Sequence, residues 1–193
     1  RQGGRSYNIT AELGITIRLK NRKNAAVRIA PTAYIPPSFP CPELTDEGLC
    51  GIHTDKPQRC RTMPFSAYRD EGDQDDLMIP RTGTLCDTSA ESPVVYRDKS
   101  IVTREDFATE REQLIRDAAI LQPYAEWLLD CVPSLKMDLH KVAMKPAGGQ
   151  LIAAFSTLIP RLPKVNIYDL AYKQLPIMKT YADRTKGDSA LAE

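Results

Sequence analysis

The chain has 193 residues, with 26 Lys and Arg against 25 Asp and Glu, a net charge of +1 and 42% hydrophobic residues. That apolar share excludes a wholly disordered chain. The balance of charge leaves no basic field of the kind that holds nucleic acid or an anionic membrane, so neither is expected as a partner. The longest apolar stretch, from Leu151 to Ile159, is far short of the ~20 residues that span a bilayer. Arg1-Gln2-Gly3-Gly4-Arg5 reads as no signal peptide, and the missing initiator Met suggests a start inside a longer gene product.

Residues 7–19 alternate apolar and polar, with Tyr7, Ile9, Ala11, Leu13, Ile15, Ile17 and Leu19 on one face, which predicts a strand or hairpin bent at Gly14. A helix is the rival, because Ile9, Leu13 and Ile17 also recur every four residues. Asn21–Asn24 is a polar break, and residues 25–30 suit a second short strand. Residues 31–93 are Pro-rich and loop-like, and the acidic run Glu71–Asp76 reads as a solvated loop.

Residues 103–184 read as helical. Thr103 is a plausible N-cap with Asp106 three residues on. The pattern predicts a break at Pro123, a new helix beginning there, a third capped by Ser134, and a last helix from Tyr168 kinked or broken at Pro176. The resulting expectation is an α+β fold. An irregular Pro-rich, Cys-pinned N-terminal half (1–100) packs on four or five helices (101–185), followed by a flexible tail (186–193).

Cysteine placement carries the chemistry. Cys41, Cys50, Cys60 and Cys86 cluster, separated by 8, 9 and 25 residues, while Cys131 stands apart. Four clustered Cys and one odd one fit a reducing, cytoplasmic setting better than a secreted disulfide framework, and point to metal or redox chemistry. Four thiolates match a zinc site or an iron–sulfur cluster. A metal would also pin a segment that lacks a regular core of its own. Asp46-Glu47-Gly48 is a turn that doubles the chain back toward Cys50. Arg61 follows Cys60 and is the cation best placed to offset thiolate charge, while Arg59 is expected to face solvent. Cys131, beside Trp127, Leu128 and Leu129, reads as a core residue, and His53 and His140 read as packing residues.

The string Cys41-Pro42-Glu43-Leu44, Gly48-Leu49-Cys50-Gly51-Ile52-His53 and Lys56-Pro57-Gln58-Arg59-Cys60-Arg61-Thr62-Met63-Pro64-Phe65 resembles the core of the bacterial YkgJ-type cysteine-cluster family. Those proteins are described as zinc- or iron-chelating domains, and flagellin lysine N-methylase is a relative. The resemblance is dense over Cys41–Phe65, and Cys86 fits the later Cys of the pattern. The family's N-terminal C-x₂-C-G-x-C-C run is missing, since no Cys precedes Cys41. The resemblance implies metal ligation by Cys41, Cys50, Cys60 and Cys86 and a helix near residues 11–23. Thiolates suit both iron and zinc. Cys41-Pro42 and the Cys count of the full pattern favour iron–sulfur, [4Fe–4S] first, over zinc. Two other readings accompany this one: a methyltransferase-like enzyme by analogy with the methylase branch, and a helical partner-binding module stapled by a metal site. No P-loop, G-x-G-x-x-G, H-E-x-x-H or G-x-S-x-G motif appears.

Overall fold

The computed structural model describes residues 7–32, 41, 43–80, 87, 89–144, 150–184 and 186. The fold is α+β. The alternating stretch at the start divides into two kinds of structure. Tyr7–Leu13 forms helix α1, and only Ile15–Arg18 forms strand β1. The apolar face stays continuous through the change, with Leu13, Ile15, Ile17 and Leu19 all buried. Gly14 makes the switch possible. A Cβ there would sit 2.1 Å from the Val27 carbonyl oxygen and 3.0 Å from that of Thr10.

Strand β2 (Asn24–Thr32) pairs antiparallel with β1, placing Ile15 opposite Val27 and Ile17 opposite Ala25. The polar break is their turn: Leu19 N–H donates to the Lys23 carbonyl at 2.8 Å, and Lys23 N–H donates to Asn21 Oδ1 at 3.1 Å. With β5 (Gln150–Ala154, numbered after β3 and β4 below) the sheet has the order β1-β2-β5. A second, two-stranded sheet pairs β3 (Tyr96–Arg97) with β4 (Ser100–Ile101).

Helix α2 is short (Gln58–Thr62), whereas α3 runs unbroken from Glu105 to Cys131. The break expected at Pro123 does not occur. An interior Pro costs a helix ~3 kcal/mol through its missing N–H and its ring clash. Tertiary burial outweighs that cost here, because the next two residues, Tyr124 and Ala125, are 1% and 0% exposed. The preceding Gln122 also donates to the Glu12 and Gly14 carbonyls at 2.9 and 2.8 Å. Helix α4 (Pro133–Ala143) starts with Pro at its first position rather than with a Ser134 cap. Short helix α5 (Phe155–Leu158) is followed by α6 (Ile167–Arg184), which continues through Pro176.

The chain forms two compact units, each built from two stretches: residues 1–30 with 52–151, and residues 31–51 with 152–193. In the first, Ile15, Ile17, Val27 and Ile29 of the hairpin pack with Ala125 of α3, Leu139 and Ala143 of α4, and Leu151. A separate cluster joins Phe65, Ala67, Ile101 and Phe107, with Met78, Tyr96 and Leu114 against it. The second unit holds the loop that ends at Gly51, together with α5 and α6. Among the described residues, no helix is long and apolar enough to cross a membrane.

Candidate functional site

The segment from Cys41 to Gly51 folds back on itself. Thr45 N–H donates to the Leu49 carbonyl at 2.8 Å and Gly51 N–H to the Glu43 carbonyl at 2.7 Å. These bonds bracket an antiparallel pair of Leu44 with Cys50. A pair bracketed this way belongs to the closely spaced, non-hydrogen-bonded class, with both side chains on one face. The turn is closed by Gly48, whose φ of +77° lies in the left-handed region that Gly enters without a Cβ penalty. Its N–H donates to the Thr45 carbonyl at 2.9 Å, and the Asp46-Glu47-Gly48 turn read from the sequence is present. Leu44 N–H also donates to the Cys41 carbonyl at 3.1 Å. Leu44 therefore touches both ends of the segment, tied to Cys41 by a turn and to Cys50 by strand pairing. Cys41 is exposed and Cys50 half-buried, and both are free thiols.

Cys60 lies in α2, which Pro57 introduces. Its N–H donates to the Pro57 carbonyl at 2.8 Å, and its thiol is free and exposed. Polar contacts clamp α2 onto α3. Gln58 Nε2 donates to the Asp106 carbonyl at 2.9 Å and to Asp106 Oδ1 at 3.0 Å, and the Thr62 hydroxyl lies 3.2 Å from the same carbonyl. The two arginines flanking Cys60 behave differently. Arg61 donates from Nε to the Lys56 carbonyl at 3.2 Å and from Nη2 to the Thr54 carbonyl, so it braces the loop leading to Cys60. Arg59 keeps 48% of its side chain exposed, in line with the expectation, and from there also reaches Glu110 at 3.2 Å and the Phe65 carbonyl at 2.7 Å. The cause is Glu110, only 4% exposed, whose carboxylate requires a cation where water is excluded.

Beyond Cys60, polar hubs join residues 66–74 to residues 96–104. Gln74, 0% exposed, accepts from Ser66 N–H at 2.9 Å and donates to the Ser66 and Asp70 carbonyls at 3.0 and 2.9 Å. Glu71 accepts from Ile101 N–H and from Arg104 Nε, each at 2.9 Å. Burial pushes the Glu71 carboxyl up, but the bonds from Arg104 and Ile101 and the charges of Arg104 and Arg111 outweigh it and hold the group below its ordinary value. Arg111 donates to the Ala67 and Arg69 carbonyls and stacks over Phe107, 5.3 Å from the ring centre. The acidic run is therefore only partly a solvated loop, since Glu71 and Gln74 organise it. With the cluster around Phe65, these contacts tie the described residues from Phe65 to Met78 to Tyr96, Ile101 and α3. Asp70, Glu71, Arg104, Phe107, Arg111 and Glu112 line an open pocket of about 360 Å³. Both cationic side chains in it already hold protein acceptors.

Cys131 ends α3 and is exposed, not part of the core as expected. His53 is exposed as well. Cys86, and the Pro40 and Pro42 that flank Cys41, lie outside the described residues. Among the described residues, no group of three or more His, Cys, Asp or Glu side chains is arranged to hold a metal ion. The chain matches no protein-family model, no curated protein and no solved structure.

Proposed function

We propose that the chain is a metal-binding cysteine-cluster protein of the YkgJ type, carrying an iron–sulfur cluster, [4Fe–4S] ahead of zinc. Its ligands are drawn from Cys41, Cys50, Cys60 and Cys86. The observation that carries this reading is the fold-back of residues 41–51, where Leu44 bonds the Cys41 carbonyl and pairs with Cys50. A tight turn presenting two free thiols on one short element is a chelating device, because it removes part of the chain entropy that ligation would otherwise have to overcome. Arg61 fits the accompanying electrostatic role. It is held beside Cys60 by the Lys56 and Thr54 carbonyls, and a guanidinium offsets thiolate charge. Free thiols of this kind belong in a reducing compartment, for which the cytoplasm is our assignment. The test is metal content per chain in single Cys→Ser variants. Cys41→Ser, Cys50→Ser and Cys60→Ser should each lower it, while Cys131→Ser leaves it unchanged. Equal retention in all four variants would overturn the ligand set.

A second reading, a helical module that docks a protein, is favoured by α6. That helix exposes Tyr168 at 87%, Tyr172 at 81% and Met178 at 64%.

A further inference from the structure

Cys60 sits on a helix too short to hold itself. Helix α2 has five residues, Gln58–Thr62, and no side-chain cap bond at Pro57. Isolated helices shorter than ~12–15 residues are marginal in water. What keeps α2 in place is therefore its contact with α3. Gln58 Nε2 donates to the Asp106 carbonyl at 2.9 Å and to Asp106 Oδ1 at 3.0 Å, and the Thr62 hydroxyl lies 3.2 Å from the same carbonyl. Arg59 Nη1 pairs with Glu110 Oε2 at 3.2 Å. Asp106 and Glu110 stand four residues apart, on one face of α3.

These contacts fix where Cys60 points. Successive residues of an α-helix are turned by ~100°, so Cys60 lies ~160° round the axis from both Gln58 and Thr62. The face carrying Gln58 and Thr62 is turned to α3, and Thr62 is 2% exposed. On the opposite face the Cys60 thiol is exposed and free. Among the described residues, the Glu110 carboxylate accepts from Arg59 alone. A buried ion pair is weak evidence of stabilisation, since an apolar pair of similar volume often serves as well. What this one supplies is direction: it draws in the residue next to Cys60 and ties it to α3.

We propose that Gln58 and Glu110 are positioning residues for Cys60, holding α2 so that its thiol faces outward as a metal ligand. This rests on the reading of Cys60 as a ligand and names the groups that support it. Gln58 acts through Asp106 and Glu110 through Arg59. The mount forms from protein contacts alone, so the thiol is preorganised before ligation.

The test is anaerobic titration of the metal-free full chain with Zn²⁺ against a chromophoric chelator, with circular dichroism to confirm the fold. Zinc is the probe because thiolates take it without cluster assembly. Glu110→Ala and Gln58→Ala should each weaken Zn²⁺ binding about tenfold or more, the size of effect that outer partners have on metal sites. Gly14→Ala, which strains the α1–β2 junction instead, should leave the affinity unchanged. Any affinity remaining in Cys60→Ser should be the same with and without Glu110→Ala, because the support acts through that thiol. Should Glu110→Ala fail to fold, Gln58→Ala alone decides. Wild-type affinity in Gln58→Ala and Glu110→Ala, or an equal loss in Gly14→Ala, overturns the proposal while a loss in Cys60→Ser keeps the ligand. Unchanged affinity in Cys60→Ser overturns both.

Discussion

Arg59 and Glu110 meet at 3.2 Å with unequal burial: the Glu110 side chain is 6% exposed and that of Arg59 48%. The carboxylate is committed to the interior and the cation comes from the surface to meet it. The same Arg59 nitrogen donates to the Phe65 carbonyl, so one guanidinium joins α2, the loop after it and α3.

Removing that guanidinium strands a buried carboxylate. Arg59→Ala should therefore destabilise the protein by about 1–3 kcal/mol, discounted from a fully buried pair because Arg59 is half exposed. In the metal-free protein Arg61→Ala removes contacts to exposed loop carbonyls and should cost less than about 1 kcal/mol. Thermal unfolding of both variants checks the order, and equal losses would remove the special role of Arg59.

Gln74 has no contact with solvent and makes three hydrogen bonds to backbone groups. Gln74→Ala should cost about 2–4 kcal/mol, since it leaves three backbone groups unsatisfied. The loss should be local. Limited proteolysis should cut between Ser66 and Ile79 before it reaches the β1–β2 hairpin, and an unchanged digestion pattern would contradict this.

The expected segments and the observed ones differ for identifiable reasons. The apolar stripe from Leu13 to Leu19 was legible because burial fixes it. The change from helix to strand within residues 7–19 was not, because period two and period four coincide at Ile9, Leu13 and Ile17. Pro123 misled because its local cost is visible in sequence while the burial of Tyr124 and Ala125 is not. The fold-back at Asp46-Glu47-Gly48 was legible because turn chemistry is local. The Glu71 and Gln74 hubs were hidden, because their acceptors and donors are up to 33 residues away in sequence.

Gly14 is fixed by close approach. In Gly14→Ala the new methyl carbon would meet the Val27 carbonyl oxygen at 2.1 Å, which no side-chain rotation relieves. Separating α1 from β2 should cost about 2 kcal/mol or more. A variant with wild-type melting temperature would show that the junction yields freely.

The Glu71 carboxyl is held below its ordinary value, so the sign of its pH dependence is set. Its contribution is complete above about pH 4.3, the value of a free Glu side chain, and is lost as pH falls through the lower folded value. Glu71→Gln should flatten the acid limb of the stability–pH curve and leave its shape at neutral pH unchanged. An acid limb identical to wild type would place the titration elsewhere.

The central claim is that the clustered cysteines hold metal, and purification without oxygen tests it most directly. Absorption spectroscopy and elemental analysis of the same anaerobic sample distinguish the outcomes. Iron with acid-labile sulfide and a visible charge-transfer band is the expected result, or else stoichiometric zinc without that band. Either signal should fall in Cys41→Ser and Cys50→Ser. A folded protein that contains neither metal, and takes up neither on anaerobic reconstitution, would contradict the account.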